Sequence, residues 1–114
     1  MNKGYHVDLA QGKWFTMTLA EQLANIGSEV NRTIASFEKD DKERMDKAID
    51  RTLELFDLTL ADKRWKDRLK EITRSRELFC SLFFDQKYYK DLKNQMDYLN
   101  EYFLQFAVLA RAKK

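Results

Sequence analysis

The chain has 114 residues, of which 44% are apolar and 35% charged, and 21 basic against 19 acidic residues leave a formal net charge of +2. This composition excludes a disordered chain, which lacks core-forming residues, and it excludes a protein that is a polycation as a whole. The single cysteine, Cys80, excludes a disulfide within the chain, and the absence of proline favours uninterrupted helices. No apolar run approaches the roughly 20 residues that span a bilayer, and the N-terminus lacks the layout of an export signal. We therefore expect a cytoplasmic protein with no membrane partner.

Residues 1–17 are predicted to form an N-terminal arm, and residues 18–114 are predicted to form one helical domain. The arm holds two of the three glycines and has no sustained periodicity, with a short extended piece expected at Tyr5–Leu9. It ends in an apolar cluster that we expect to pin it against the domain: Trp14, Phe15 and Met17.

The first helix is predicted to begin at Thr18, because Thr18-Leu-Ala-Glu21 is a capping box in which each side chain satisfies a free backbone N–H. Apolar residues then recur at steps of three and four, the spacing of one buried face: Leu19, Leu23, Ile26, Val30, Ile34 and Phe37. A neighbouring line of short side chains predicts the close approach of another backbone, although a merely tolerated glycine is the alternative: Ala20, Ala24, Gly27, Asn31 and Ala35.

The second helix is predicted at about residues 41–60, after a further capping pattern at Asp40–Glu43. Its inward residues are Met45, Ile49, Leu53 or Thr52, Phe56 and Leu60. The third helix is expected directly after a tight link at Ala61-Asp62, with Asp62 as its cap, and so short a link favours an antiparallel hairpin. Its inward residues are Trp65, Leu69, Ile72, Phe79 and Phe83.

The fourth helix is predicted from about Asp91 onwards, with Leu92, Met96, Leu99, Phe103, Phe106 and Ala110 inward. The four stripes together predict an all-α, antiparallel four-helix bundle. Near the C-terminus, apolar residues surround this helix, and a helix that is apolar all round is buried on every side. Either the N-terminal arm or a second copy must then cover its outer face. We expect a homo-oligomer whose interface holds Leu104, Phe106, Val108 and Leu109.

The chain lacks the side chains that most catalytic sites need. Its one histidine, His6, lies in the predicted arm, so only an all-carboxylate metal site remains open. No Glu-x-x-His pair, no base beside a nucleophile and no glycine-rich phosphate loop is present. We therefore expect a non-enzymatic protein without a cofactor or metal, and a carboxylate–metal enzyme is the remaining alternative.

Charge is segregated between the second and third helices. Residues 63–76 hold seven bases and two acids, whereas residues 38–57 hold eight acids and five bases. Lys66, Lys70 and Arg74 share one line of a continuous helix, where like charges repel and where a phosphate backbone would release counterions. The predicted nucleic-acid-binding residues are Lys63, Arg64, Lys66, Lys70 and Arg74. A solvated helix face, or pairing with the acidic second helix, explains the same run of charge.

Two further predictions concern side chains near this basic run. Arg76 lies on the apolar line of the third helix, which predicts a buried pairing with a carboxylate or an amide, and Gln22 and Asn25 are candidate partners. Aromatic residues such as Tyr98 and Tyr102 could stack on bases, but their helical spacing favours packing in the core.

Three stretches resemble small bacterial helical proteins: TLAEQLANIGSEVNR from Thr18, residues 53–80 around DKRWKDRLKEITR from Asp62, and YFLQFA from Tyr102. In size and helix layout the chain is similar to the four-helix-bundle superfamily of ribosomal-RNA intervening-sequence proteins and the Avd accessory proteins of diversity-generating retroelements. The resemblance implies a ring-shaped homo-oligomer, commonly a pentamer, whose basic surface binds a reverse transcriptase and its template RNA. We therefore expect an RNA-binding accessory protein. The alternative is a protein–protein adaptor that uses the apolar face of the fourth helix.

Overall fold

The computed structural model describes residues 12–112, and within that range the chain is helical with no β-strand. Four α-helices are joined by short connections: α1 Leu19–Glu38, α2 Lys42–Leu60, α3 Leu69–Phe84 and α4 Leu92–Ala112. Three 3-10 turns flank them, at Lys13–Thr16, Lys63–Arg68 and Gln86–Tyr88. The predicted all-α bundle is confirmed. The expected extended piece at Tyr5–Leu9, together with His6, lies outside the described residues.

The helix α1 is the central element of the bundle. It packs along α2 on one side and along α4 on the other, while α3 contacts α2 and α4, so that α1 and α3 lie on a diagonal. All four helices contribute buried apolar side chains to one core, and the ring of Phe56 lies 6.2 Å from that of Phe79 and 5.9 Å from that of Phe103. Trp14 from the first 3-10 turn is fully buried in the same core, as the predicted pinning of the apolar cluster requires. In the range 12–112, no helix is long and apolar enough to cross a membrane.

Capping interactions define where α1 and α2 begin. The backbone N–H of Glu21 donates to Thr18 Oγ1 at 3.1 Å, and the backbone N–H of Thr18 donates to Glu21 Oε1 at 2.9 Å, which confirms the predicted capping box. Asp40 adopts a φ of 56° and turns the chain out of α1. The cap of α2 is Asp41, which accepts the backbone N–H of Arg44 at 3.2 Å, so the cap lies one residue later than the predicted Asp40–Glu43 pattern.

The predicted cap at Asp62 is present, since its Oδ1 accepts the backbone N–H of Arg64 at 3.1 Å, but the α-helix begins later than predicted. A 3-10 turn occupies Lys63–Arg68, with a non-helical φ of −102° and ψ of 24° at Trp65, and α3 begins only at Leu69. The cause is a tertiary contact, because the indole N–H of Trp65 donates to the side chain of Gln22 on α1 at 2.8 Å. Lys66 is consequently not in register with Lys70 on one continuous α-helical line.

Thr52, and not Leu53, is the inward residue at the middle of α2. Thr52 is fully buried, and its hydroxyl donates to the carbonyl of Ala48 at 2.7 Å. This bond satisfies the polar group without water. Thr33 of α1 lies opposite and bonds its own helix backbone in the same way, and the two hydroxyl oxygens are 3.5 Å apart. Short hydroxyl side chains therefore fill part of the α1–α2 contact.

Three residues of the line of short side chains on α1, namely Ala24, Gly27 and Asn31, face α4, and the predicted close approach is found at Gly27. At Gly27 the two helices come so close that a Cβ atom built there would lie 2.6 Å from the Cβ of Phe103, nearer than real Cβ atoms approach. Glycine is therefore required at this position, although it costs about 1 kcal/mol of helix propensity relative to alanine.

We expect Gly27→Ala to destabilise the protein by about 1–3 kcal/mol, because the added methyl group overpacks the α1–α4 contact and outweighs the gain in helix propensity. The free energy of unfolding in urea measures the effect. The neighbouring exposed Ser28→Ala is the matched control, and we expect it to stay within about 0.5 kcal/mol of the original protein. A Gly27→Ala protein as stable as the original would contradict the close approach.

Candidate nucleic-acid interface

A buried amide organises the end of the bundle where the predicted basic segment begins. The Gln22 side chain is fully buried, and its Nε2 donates to the Trp14 carbonyl at 2.8 Å and to Asp62 Oδ2 at 3.0 Å. Its Oε1 accepts the indole N–H of Trp65, while the indole N–H of Trp14 donates to Thr59 Oγ1 at 3.0 Å. This set of hydrogen bonds, the Gln22 network, joins the N-terminal 3-10 turn, α1, the end of α2 and the turn that precedes α3.

Arg64 belongs to this network, and its charge is balanced by Asp62 although its side chain is 41% exposed. Its Nη2 lies 2.6 Å from Asp62 Oδ2 and also donates to the Met17 carbonyl at 2.7 Å, while the guanidinium stacks 4.3 Å above the Trp65 ring. Hydrogen bonding from Arg64 overcomes the effect of burial and lowers the pKa of Asp62 from 3.8 to about 2. The same bond raises the pKa of Arg64.

Arg76 pairs with a carboxylate, in agreement with the sequence, and the partner is Asp57 of α2, with Nε and Oδ1 3.1 Å apart. The pairing is not buried as predicted, because 32% of the Arg76 side chain and 63% of the Asp57 side chain are exposed. Neither proposed amide takes part: Gln22 lies in its own network, and Asn25 donates to the Glu21 carbonyl at 2.8 Å.

Four of the five predicted nucleic-acid-binding residues keep an uncompensated charge. Lys63, Lys66, Lys70 and Arg74 are exposed and form no ion pair within residues 12–112. The structure does not place all four together, since Lys63 and Lys66 lie on the 3-10 turn while Lys70 and Arg74 project from α3 into a groove.

The groove lies between α3 and α4 and has a volume of about 410 Å³. Lys70 and Arg74 contribute to its α3 wall, and Tyr98 and Tyr102 contribute to its α4 wall. Tyr98 is 62% exposed, so one face of an aromatic ring is accessible beside two unpaired cations. The complete lining is Asp67, Arg68, Lys70, Glu71, Arg74, Ser75, Leu78, Tyr98, Leu99 and Tyr102.

A hydrogen-bonded triad forms the inner part of this groove. The Tyr102 hydroxyl donates to Glu71 Oε1 at 2.7 Å, and Arg68 Nε donates to Glu71 Oε2 at 2.9 Å. Burial, followed by the bond to Glu71, raises the pKa of Tyr102 to about 12. The bond from Tyr102, assisted by Arg68, lowers the pKa of Glu71. Glu71 is therefore ionised and balanced by Arg68, and the charge left for a ligand is that of Lys70 and Arg74, with exposed Asp67 as the only other acid of the lining.

The exposed position of Tyr98 is the feature that the sequence interpretation missed. The core positions of α4 include Met96 and Leu99, and at 100° per residue Tyr98 falls on the opposite side of the helix from Met96. That angular offset was the signal that separated Tyr98 from the core aromatics.

The predicted oligomer interface falls on more than one surface of α4. Leu104, Val108 and Leu109 are 57%, 55% and 47% exposed. Phe106 is half-buried, and its ring lies 5.4 Å from that of Tyr102 at the edge of the core. Self-association through these residues stays a prediction.

Between residues 12 and 112 there is no group of three or more His, Cys, Asp or Glu side chains placed to hold a metal ion. Burial raises the pKa of the Cys80 thiol, whereas a nucleophilic cysteine needs a lowered pKa.

The pKa of Asp62 has a consequence for stability at low pH. Because the pKa is lower in the folded protein, the carboxylate stabilises the fold by about 2 kcal/mol above pH ~4, and this contribution is lost as the pH falls through about 2. We expect the difference in unfolding free energy between the original protein and Asp62→Asn to shrink by that amount between these pH values. Urea titrations across the range measure it. The control Asp50→Asn changes an exposed carboxylate, and an equal trend for both variants would contradict a special role for Asp62.

Comparison with known proteins does not assign the chain to a family. No protein-family model, curated protein or solved structure matches the chain. The resemblance to the intervening-sequence and Avd proteins therefore stays a prediction, and a function has to be argued from the residues themselves.

Proposed function

We propose that this protein binds single-stranded RNA in the α3–α4 groove and does so without catalysing a reaction. The observation that carries the proposal is the position of two unpaired cations, Lys70 and Arg74, in the same groove as the exposed ring of Tyr98. Phosphates bind such cations with release of counterions, and an unpaired base stacks on such a ring.

The choice of a single strand follows from the tyrosine. Bases in a duplex are already stacked and their faces are closed, so an exposed aromatic side chain gains nothing from them, whereas unpaired bases can splay onto it. Lys63 and Lys66 on the preceding turn extend the cationic surface towards the Gln22 network. The role as an accessory protein of a reverse transcriptase is part of the proposal and rests on the resemblance alone.

The test measures the affinity for a short single-stranded oligoribonucleotide as a function of salt concentration. We expect Lys70→Ala/Arg74→Ala to weaken binding at least tenfold at low salt and to reduce the slope of log affinity against log salt by about 1–1.5, as two lost phosphate contacts require. Tyr98→Ala should weaken binding about 5- to 100-fold without changing that slope, because stacking releases no counterions.

The matched control is Lys87→Ala/Lys90→Ala, which removes the same charge from exposed positions in the α3–α4 connection. Equal losses in this control would mean that only net charge matters, and the proposed groove would then be wrong. Absence of RNA binding at about 50 mM salt would reject the proposal outright.

We propose a second function, assembly through the exposed aliphatic side chains of α4, on the observation that Leu104 and Val108 lie one helical turn apart and are both more than half exposed. We expect a second copy of the chain to bind this face of α4. The ring-shaped homo-oligomer that the resemblance implies would be built from such contacts. An adaptor that receives a different protein on this face is the alternative.

We expect the protein to scatter light as an oligomer at about 10 µM and Leu104→Glu/Val108→Glu to scatter as a monomer, because two buried charges disfavour an apolar interface. Phe84→Glu is the matched control, since Phe84 is an exposed apolar residue at the end of α3. A monomeric original protein at that concentration would contradict self-association and favour the adaptor.

A further inference from the structure

A second groove, between the C-terminal half of α1 and the N-terminal half of α2, concentrates positive charge that the net charge of the α2 segment conceals. It has a volume of about 430 Å³, and five bases and one acid contribute to its lining. The lining residues are Arg32, Ala35, Ser36, Lys39, Asp41, Arg44, Lys47 and Arg51. We infer that this α1–α2 groove binds a small ligand that carries two or more phosphate groups.

The strongest support is an unequal ion pair beneath the groove. Glu29 is buried, with 4% of its surface exposed, and each of its carboxylate oxygens meets a different guanidinium. Arg51 Nε lies 2.6 Å from Oε2, and Arg32 pairs with Oε1. One buried carboxylate thus holds two arginines beneath the groove. Because Glu29 already positions both side chains, a phosphate that binds them has less conformational entropy to remove.

The remaining acids near the groove do not cancel its charge. Asp41 caps α2 and pairs with Arg44, whose Nε lies 3.4 Å from Oδ2. Glu43 pairs with Lys47 at 3.4 Å, and both side chains are more than half exposed, so water and salt weaken this contact. Lys39 has no ion pair in the described part of the chain. The described lining therefore holds five bases against Asp41 alone, a balance that suits a ligand with two or more phosphate groups.

A compact ligand fits this charge pattern better than a long strand does. Among the residues that the structure describes, no aromatic side chain lines the groove, so residues 12–112 offer no ring on which a base could stack there. Outside the groove, residues 38–57 carry eight acids against five bases, which repels a polyanion that runs on along α2. The groove also lies away from the α3–α4 groove, because α1 and α3 are diagonal in the bundle. The inference is therefore independent of the proposed RNA function.

Calorimetric titration with tripolyphosphate as the probe tests the inference. We expect one bound tripolyphosphate per chain at about 50 mM salt. Lys39→Ala/Lys47→Ala should weaken this binding at least tenfold, and Arg32→Gln, which leaves Arg51 on Glu29, should do the same. Both changes affect exposed side chains, so the thermal unfolding of the two variants should stay close to that of the original protein.

Two controls separate this site from general charge and from the RNA groove. Lys87→Ala/Lys90→Ala should bind tripolyphosphate like the original protein, and so should Lys70→Ala/Arg74→Ala. Absence of tripolyphosphate binding would overturn the inference, as would equal weakening in the first control. Loss of RNA affinity in Lys39→Ala/Lys47→Ala without any tripolyphosphate binding would also overturn it, because the groove would then be a contact for an RNA backbone.

Discussion

The hydrogen bonds of the buried Gln22 side chain are the constraint on which this end of the structure depends. Its three bonds reach the Trp14 carbonyl, Asp62 and Trp65, and so they bring together segments that are distant along the chain. A buried amide without partners costs about 1–3 kcal/mol for each unmade bond, which selects the one arrangement that satisfies all of them. The late start of α3 and the pairing of Arg64 with Asp62 both belong to that arrangement.

Local periodicity and capping chemistry were sufficient to predict the helices, the boxed start of α1 at Thr18 and the close approach at Gly27, because each depends on residues within one helix. The start of α3 could not be predicted in this way, since it depends on a contact between Trp65 and Gln22, 43 positions apart. For the site, the sequence indicated which bases cluster along the chain but not that Asp62 neutralises one of them. The sequence did not predict the α1–α2 groove, because the net charge of residues 38–57 averages over all faces of α2. Arg32 also contributes to the groove from outside that segment.

Both grooves contain a glutamate that pairs with arginine, but the number of paired arginines differs. In the α3–α4 groove, Glu71 is balanced by a single arginine, Arg68, and the remaining positive charge belongs to Lys70 and Arg74, which form no ion pair within residues 12–112. In the α1–α2 groove, Glu29 holds two arginines, and both of them belong to the lining. The first arrangement combines cations with an aromatic ring, as an extended strand with bases requires. The second offers several donors at close range, as a compact anion requires.

The position of the two tryptophans gives the molecule a natural optical reporter. The chain contains no tryptophan besides Trp14 and Trp65, and both indole N–H groups donate within the same set of buried hydrogen bonds. Their fluorescence emission therefore monitors solvent entry at this end of the bundle. Neither ring lines the α1–α2 groove or the α3–α4 groove, so occupation of either groove leaves the emission spectrum unchanged unless it also loosens the packing around the indoles.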